Sequence, residues 1–310
     1  MAWARCGTGV WPARRGGARS PGSGRLAVAA SLLLAACWTA AGDPGPPAGQ
    51  RVEAGTRPYA SGVSAAGDLA SGDVAYAGRR RYPTRAPDGT LTLRFAGYTW
   101  RVAEGHSPPG PTHFHGSNVW VDEAGRLHLA LVRRGGRWTG AYVAMVDDRL
   151  GFGDYTFQVS GPIGALDPNV VLGLFAYPTR DVGPDGTNEI DIEFARWGDP
   201  GNPNGWYTVW PPEPGGSKAF HAFRVPAAAG RTIHTFRRLP DAILFRSVVP
   251  SGGDVVEIGR WAFRPARPAR HVPRQPMPIH INLWLRDGQP PSDGREVEVV
   301  IERFTFSPAR

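Results

Sequence analysis

Glu189-Ile190-Asp191-Ile192-Glu193 sets three carboxylates at two-residue spacing, with isoleucines between them. On a β-strand, side chains at i, i+2 and i+4 share one face. Glu189, Asp191 and Glu193 then form a row, while Ile190, Ile192 and Phe194 turn toward a core. Like charges side by side destabilise a sheet, so the row needs a purpose outside folding. General acid/base and nucleophilic chemistry supplies one. Retaining glycosidases use two carboxyl groups about 5–5.5 Å apart, one as nucleophile and the other as acid then base. Four residues of strand span roughly 13 Å, so Glu189 and Glu193 would have to lean inward around a sugar. Asp191 between them can share a proton and help to keep one glutamate protonated. Taken alone, the spacing also fits a solvated acidic face that binds a metal ion or nothing.

Other segments show the same period with unusual occupants. In Ile279-His280-Ile281-Asn282-Leu283-Trp284-Leu285 the aliphatics take the odd positions, leaving His280, Asn282 and Trp284 on the opposite face. Polar groups beside an indole suit sugar hydroxyls and a pyranose ring, although a Trp284 that only covers a sheet edge would read the same way. Phe175 and Tyr177 share a face, with Leu174 and Ala176 on the other. Trp197, Trp206, Tyr207 and Trp210 lie among glycines and prolines, where ligand contact is the first suspicion, with core packing as the competing account. Trp120, Trp138 and Trp261 are assigned to the core.

The elements that must position these groups are short strands. Segments at 91–95, 98–102, 119–122, 127–132, 155–159, 170–177, 189–194, 206–210, 221–225, 233–237, 242–249, 255–258, 279–285 and 297–306 alternate apolar and polar residues between turn signals. Glu104–Pro111 reads as a loop, and Arg134-Gly135-Gly136-Arg137 as a hairpin turn. With 41 glycines and 31 prolines and little helical periodicity, the chain is predicted to be all-β, an antiparallel β-sandwich. It has no internal repeat and no nucleotide-binding glycine fingerprint.

The net charge of +8 is concentrated at the start. Arg5, Arg14, Arg15, Arg19 and Arg25 fall within the first 42 residues, which hold no acid, leaving about +3 for the rest. That remainder gives no reason to propose a nucleic-acid partner. Lys218 is the only lysine among 35 basic residues, a usage that reads as codon bias. An apolar run, Leu26 to Ala36, follows the arginines and ends at Leu34-Ala35-Ala36-Cys37. A basic stretch, a short apolar stretch and small residues make an export signal, too short for a comfortable membrane span. Residues 1–37 are therefore read as an export signal, and 38–88 as a Gly/Pro/Ala-rich tether or lead-in. Residues 89–310 are read as the catalytic domain. Cys6 and Cys37 are the only cysteines, so the domain has neither a disulfide nor a cysteine nucleophile.

The run Thr187–Phe194 resembles the active-site strand of glycoside hydrolase family 16. Gly153–Phe157, Gly173–Tyr177, His234–Phe236 and Ile281–Leu285 look like other segments of that family, in the expected order, over roughly residues 90–308. The resemblance implies a concanavalin-like jelly roll with an active-site cleft on its concave sheet, and a retaining endo-β-glycanase. Carried over, Glu189 is the nucleophile, Glu193 the acid/base and Asp191 the assisting carboxyl. Phe175, Tyr177, Trp197, Trp206, Trp210, His280, Asn282 and Trp284 are the candidate substrate contacts. The resemblance also places the 279–285 strand beside the acidic one. No cofactor is implied; a structural calcium ion on the convex face is known in relatives, and no ligands for one can be named here. Leu-Ala-Ala-Cys resembles a bacterial lipobox, which would lipidate Cys37 and make an exported surface protein, the alternative being a signal cut near Ala41 and a secreted one. A polysaccharide is the expected partner, the membrane only through that anchor, and the protein is expected to be a monomer. The departures concern specificity. Thr187 stands where many relatives have a tryptophan, and Ala141 and Val143 are read as standing where some have Glu and Arg. The uninterrupted Glu-x-Asp-x-Glu resembles the lichenase and xyloglucan-transglycosylase branches, whereas laminarinases and carrageenases commonly insert one residue. Competing readings on the same fold are a non-catalytic lectin and a structural surface lipoprotein.

Overall fold

The computed structural model describes residues 79–146 and 148–309. Cys37, the export signal at 1–37 and most of the 38–88 lead-in lie outside the described residues. Two large antiparallel sheets account for most of the rest. The first has nine strands in the order Thr84–Arg85, Leu91–Phe95, Tyr98–Val102, Ala141–Met145, Ile279–Leu285, Val170–Ala176, Ile190–Phe194, Gly205–Val209 and Ala219–Phe223. The second runs Asp254–Phe263, Ile243–Ser251, Arg231–Arg238, Gly153–Ser160, Val297–Pro308, Leu127–Arg134 and Val119–Val121, with Arg137–Thr139 paired off Leu127–Arg134. The sandwich predicted from alternation is thus the observed architecture.

Alternation builds the core. Ile190, Ile192 and Phe194, Leu172 and Leu174, and Ile279, Ile281 and Leu283 face inward from the first sheet and are fully buried. They meet Leu127, Leu129 and Leu131, Tyr155 and Phe157, and Phe236 and Phe245 from the second. Burying this much apolar surface is the main stabilising term. It also holds each first-sheet strand with its alternate residues pointing away from the core.

One buried polar cluster crosses the two layers. Tyr207 donates its hydroxyl proton to Ser247 Oγ at 2.6 Å. His234 Nδ1 is 2.7 Å from the same oxygen, and its Nε2 is 2.7 Å from Thr232 Oγ1. Burial pushes the His234 pKa down to about 3, so the ring is neutral and fully partnered, as buried polar groups must be. Arg238 is completely buried and donates to the carbonyls of Leu150, Pro273 and Gln275. It thereby fixes the segment that leads into Ile279–Leu285.

Several sequence expectations are corrected. Strand pairing begins before residue 89, because Arg81 bridges Val121 and Thr84–Arg85 pairs with Leu91–Thr92. The end of the expected lead-in is therefore part of the first sheet. The expected loop at Glu104–Pro111 contains a strand, Gly105–Ser107, paired with Thr112–Phe114; its exposed residues lack the alternation that would signal it. The strand expected at 221–225 lies at Ala219–Phe223, since Val225 is buried from the following loop. Tyr207 belongs to the core. Trp120 is buried, but on the other face of its strand, stacked on His128 at 4.9 Å beneath the Arg80 guanidinium.

Candidate active site

The acidic strand sits between Val170–Ala176 and Gly205–Val209 with continuous register on both sides, so it carries no bulge. Its inward isoleucines are fully buried, and that anchoring turns Asp191 and Glu193 to the outer face of the first sheet. Glu189 stands just before the strand and extends its ladder: the Trp210 amide donates to the Glu189 carbonyl at 2.9 Å. The preceding turn is tight. Asn188 adopts φ +58°, a conformation that asparagine tolerates better than most residues, and its amide donates to the Pro211 carbonyl at 3.1 Å.

Directly paired residues in antiparallel strands share a face, so register assembles the site. Glu193 is opposite Gly173 on one side and Trp206 on the other. Asp191 is opposite Phe175 and Thr208. One strand further, Asn282 pairs with Gly173 and His280 with Phe175. Tyr142 pairs with Asn282, and Ala144 with His280. A row Tyr142–Asn282–Gly173–Glu193–Trp206 therefore runs across the strands, parallel to a second row Ala144–His280–Phe175–Asp191–Thr208.

Crowding three carboxyls on a half-dry surface changes their acidity. Burial is the first cause for each and favours the protonated form. It pushes Glu193 up to about 7 and Glu189 up to about 8, the latter reinforced by the Glu193 charge and opposed by a hydrogen bond with Asp191. Asp191 is also raised, by burial and by its two neighbours. The three titrate as one cluster that retains protons near neutral pH. Lys218 opposes the rise at all three positions; its ammonium rests 4.6 Å from the centre of the Trp210 ring.

The neighbouring groups form a buried floor. His280 and Asn282 are 6% and 3% exposed, less open than a solvent-facing sugar contact would be. His280 Nδ1 lies 2.7 Å from the Tyr142 hydroxyl, and burial pushes its pKa down to about 3. Asn282 Oδ1 is buried without a hydrogen-bond partner, an acceptor left unmet. Phe114, Tyr142 and Phe175 pack together with Tyr177 and Trp284 at their margin. Tyr177 donates to Asp185 at 2.9 Å, and its own proton is held more tightly because it is buried near Glu189.

The structure thus brings together Glu189, Asp191, Glu193, Phe175, Tyr177, Trp206, Trp210, His280, Asn282 and Trp284 on one face of the first sheet. Trp206 donates its indole N–H to the Ala195 carbonyl at 2.9 Å, which fixes the ring beside Glu193. Trp197 stands apart from this register, in the loop after the acidic strand with φ +51°. The reading of Ala141 and Val143 as site positions is corrected, because both are fully buried in the core and their neighbours Tyr142 and Ala144 face the site. Sequence reasoning gave no site role to Tyr142, Gly173, Thr208 or Lys218. Among the described residues, no group of three or more His, Cys, Asp or Glu side chains is placed to hold a metal ion.

No protein-family model matches the chain, and no curated protein matches it. Solved structures do. A laminarinase from Flavobacterium sp. UMI-01 superposes with a TM-score of 0.52 at 14% identity, over 67% of this chain and 92% of that one. A Mycobacterium tuberculosis protein described as an immunostimulatory antigen and pseudo beta-1,3-glucanase gives 0.51 at 19%, over 67% and 91%. The Bacillus licheniformis beta-glucanase gives 0.50 at 18%, over 75% and 98%. These likenesses show the fold, a β-jelly roll shared with the laminarinase and the beta-glucanase.

Proposed function

We propose that the protein is a retaining endo-β-glycanase acting on a β-linked polysaccharide. The observation that carries this reading is the row Glu189–Asp191–Glu193, backed by a buried apolar strand face and bordered by Trp206, Trp210, Phe175 and Tyr177. Glu189, as carboxylate, attacks the anomeric carbon while Glu193 gives its proton to the leaving glycosidic oxygen, and a glycosyl ester on Glu189 results. Glu193, now a base, takes a proton from water or a sugar hydroxyl, which displaces Glu189 and releases the product with its configuration retained. Asp191, hydrogen-bonded to Glu189, shares the cluster's proton and steadies the nucleophile between the two steps. The raised pKa of Glu193 supports the acid's part, since an acid must still hold its proton near neutral pH. Glu189, raised as well, attacks in the form in which Asp191 holds the proton of the pair.

The leader sequence supports export, with Cys37 as the lipidation point of a cell-surface protein and the membrane as a partner only there. Among the described residues no helix is long and apolar enough to cross a membrane.

A non-catalytic glycan binder is the second reading. It is favoured by the similarity to a protein described as a pseudo beta-1,3-glucanase, and opposed by the retention of all three carboxyls. The test is reducing-end release by the purified chain from mixed-linkage β-glucan, laminarin, xyloglucan, agarose and carrageenan. Release that Glu189→Ala and Glu193→Ala both lose, while keeping glycan binding, is the expected result. Full activity in either variant would overturn the assignment, and binding without release from any glycan would favour the binder.

A further inference from the structure

Beyond the residues that border the acid row, the sheet ends in a strand that shows an aromatic ring to solvent. Phe220 is 60% exposed, against 45% for Tyr82, the only other exposed aromatic among the described residues. Leaving a phenyl ring in water forfeits the gain that burial would bring, so a ring this open on a structured strand calls for an occupant.

Register fixes where it points. Asp191 pairs with Thr208, and Thr208 with Phe220, so Phe220 shares the face of the acid row. It lies two strand spacings away, roughly 10 Å. Outward of Trp206 in its own row stands Ala222, whose small side chain adds no bulk beside the indole. The Phe220 and Trp206 rings stand 6.1 Å apart with their planes tilted by 55°, and Trp206 is itself opposite Glu193. Lys218 bounds the platform on the other side, over Trp210. A cation at that edge also discourages pairing of the strand with another chain.

We infer that Phe220 and Trp206 form a distal sugar-stacking subsite, which takes a pyranose ring of a neutral β-linked glycan where the chain passes beyond Glu193 toward the sheet edge. This rests on the glycanase reading for the identity of the chain, yet it concerns binding alone. A glycan crossing the strands along the row Tyr142–Asn282–Gly173–Glu193–Trp206 comes to Ala222 at the last strand, with Phe220 two residues away on the same face in the parallel row. An apolar ring face is what such a residue can offer a sugar.

The test uses the full chain made inactive by Glu189→Ala, run by affinity electrophoresis in gels containing mixed-linkage β-glucan, laminarin or xyloglucan. The parent is expected to be retarded by at least one of these. Adding Phe220→Ala is expected to weaken that retention about tenfold, equivalent to about 1.4 kcal/mol, and Phe220→Trp to restore it. Equal retention of parent and Phe220→Ala would overturn the inference, as would no retention of the parent by any of the three. So would size exclusion showing a dimer that Phe220→Ala converts to monomer, because the ring would then be covered by a second copy. Retention that depends on Phe220 in a protein whose wild type releases no sugar would leave the subsite standing and remove the hydrolase reading.

Discussion

Gly173 is the cross-strand partner of Glu193, and the place a Gly173 Cβ would occupy is 2.6 Å from Asn282 Oδ1. A glycine inside a strand is usually a weakness. Here it leaves the acid/base glutamate without a neighbouring side chain on one flank and lets Asn282 reach into that gap.

Gly173→Ala is therefore expected to push Asn282 out of place, with the Phe175 ring the next contact at 3.3 Å. Overpacking of this kind costs about 1–3 kcal/mol, which thermal denaturation would register. Displacing a group at the reacting centre by about 1 Å can cost on the order of a hundredfold in rate. Glycan turnover should thus fall much further than stability does. Unchanged turnover would show that the gap is not used.

Protonation of the acid row couples stability to pH. An unfolded glutamate titrates near 4.5, whereas Glu193 and Glu189 in the folded chain are pushed to about 7 and about 8. The folded state therefore holds protons that the unfolded chain has released. Its stability is full below pH 4.5 from this source, falls as pH rises toward about 8, and changes no further above. Melting temperature measured from pH 5 to pH 9 should decline over that window, and Glu193→Gln should flatten the decline. In the same range kcat/KM is expected to be bell-shaped, falling on the alkaline side as Glu193 loses the proton it must donate and on the acid side as Glu189 takes one up.

Tyr142→Phe removes the hydroxyl that satisfies His280 Nδ1 at 2.7 Å. Both residues are buried, so the orphaned nitrogen should cost about 1–3 kcal/mol, read as a lower urea midpoint with an unchanged slope. A variant as stable as the parent would mean that another donor replaces the tyrosine.

Arg238 is a separate structural prediction, far from the chemistry. Its guanidinium holds three backbone carbonyls, and Arg238→Met would remove that donor from each, leaving the Leu150 carbonyl only the Met277 amide. A loss of about 3 kcal/mol or more is expected, with Arg238→Lys recovering only part, since an ammonium lacks the planar fork. Equilibrium denaturation of the two variants decides it.

What could be read in the sequence follows from range. The acid row was legible because its information is local: period-two spacing and isoleucines that must be buried fix which way the carboxyls point. The same reasoning put His280, Asn282 and Trp284 on one face. Position 141–145 misled, since Ala141, Val143 and Ala144 are all small or apolar and the parity that turns Tyr142 to the site face is set by pairing with Asn282. Trp120, expected in the core, is buried on the outer face of its strand under Arg80 and His128. Gly173, Lys218 and Phe220 stayed silent because their roles depend on register between strands distant in sequence. A lone lysine looks like codon usage until Trp210 is found beneath it.

The most direct test of the central claim follows the anomeric configuration of the first-released product by proton NMR, on whichever glycan of the panel gives the fastest release. The division of labour between Glu189 and Glu193 requires the β-anomer to appear first and mutarotate later, and requires Glu189→Ala to release none. Initial appearance of the α-anomer, or undiminished release by Glu189→Ala, would contradict it.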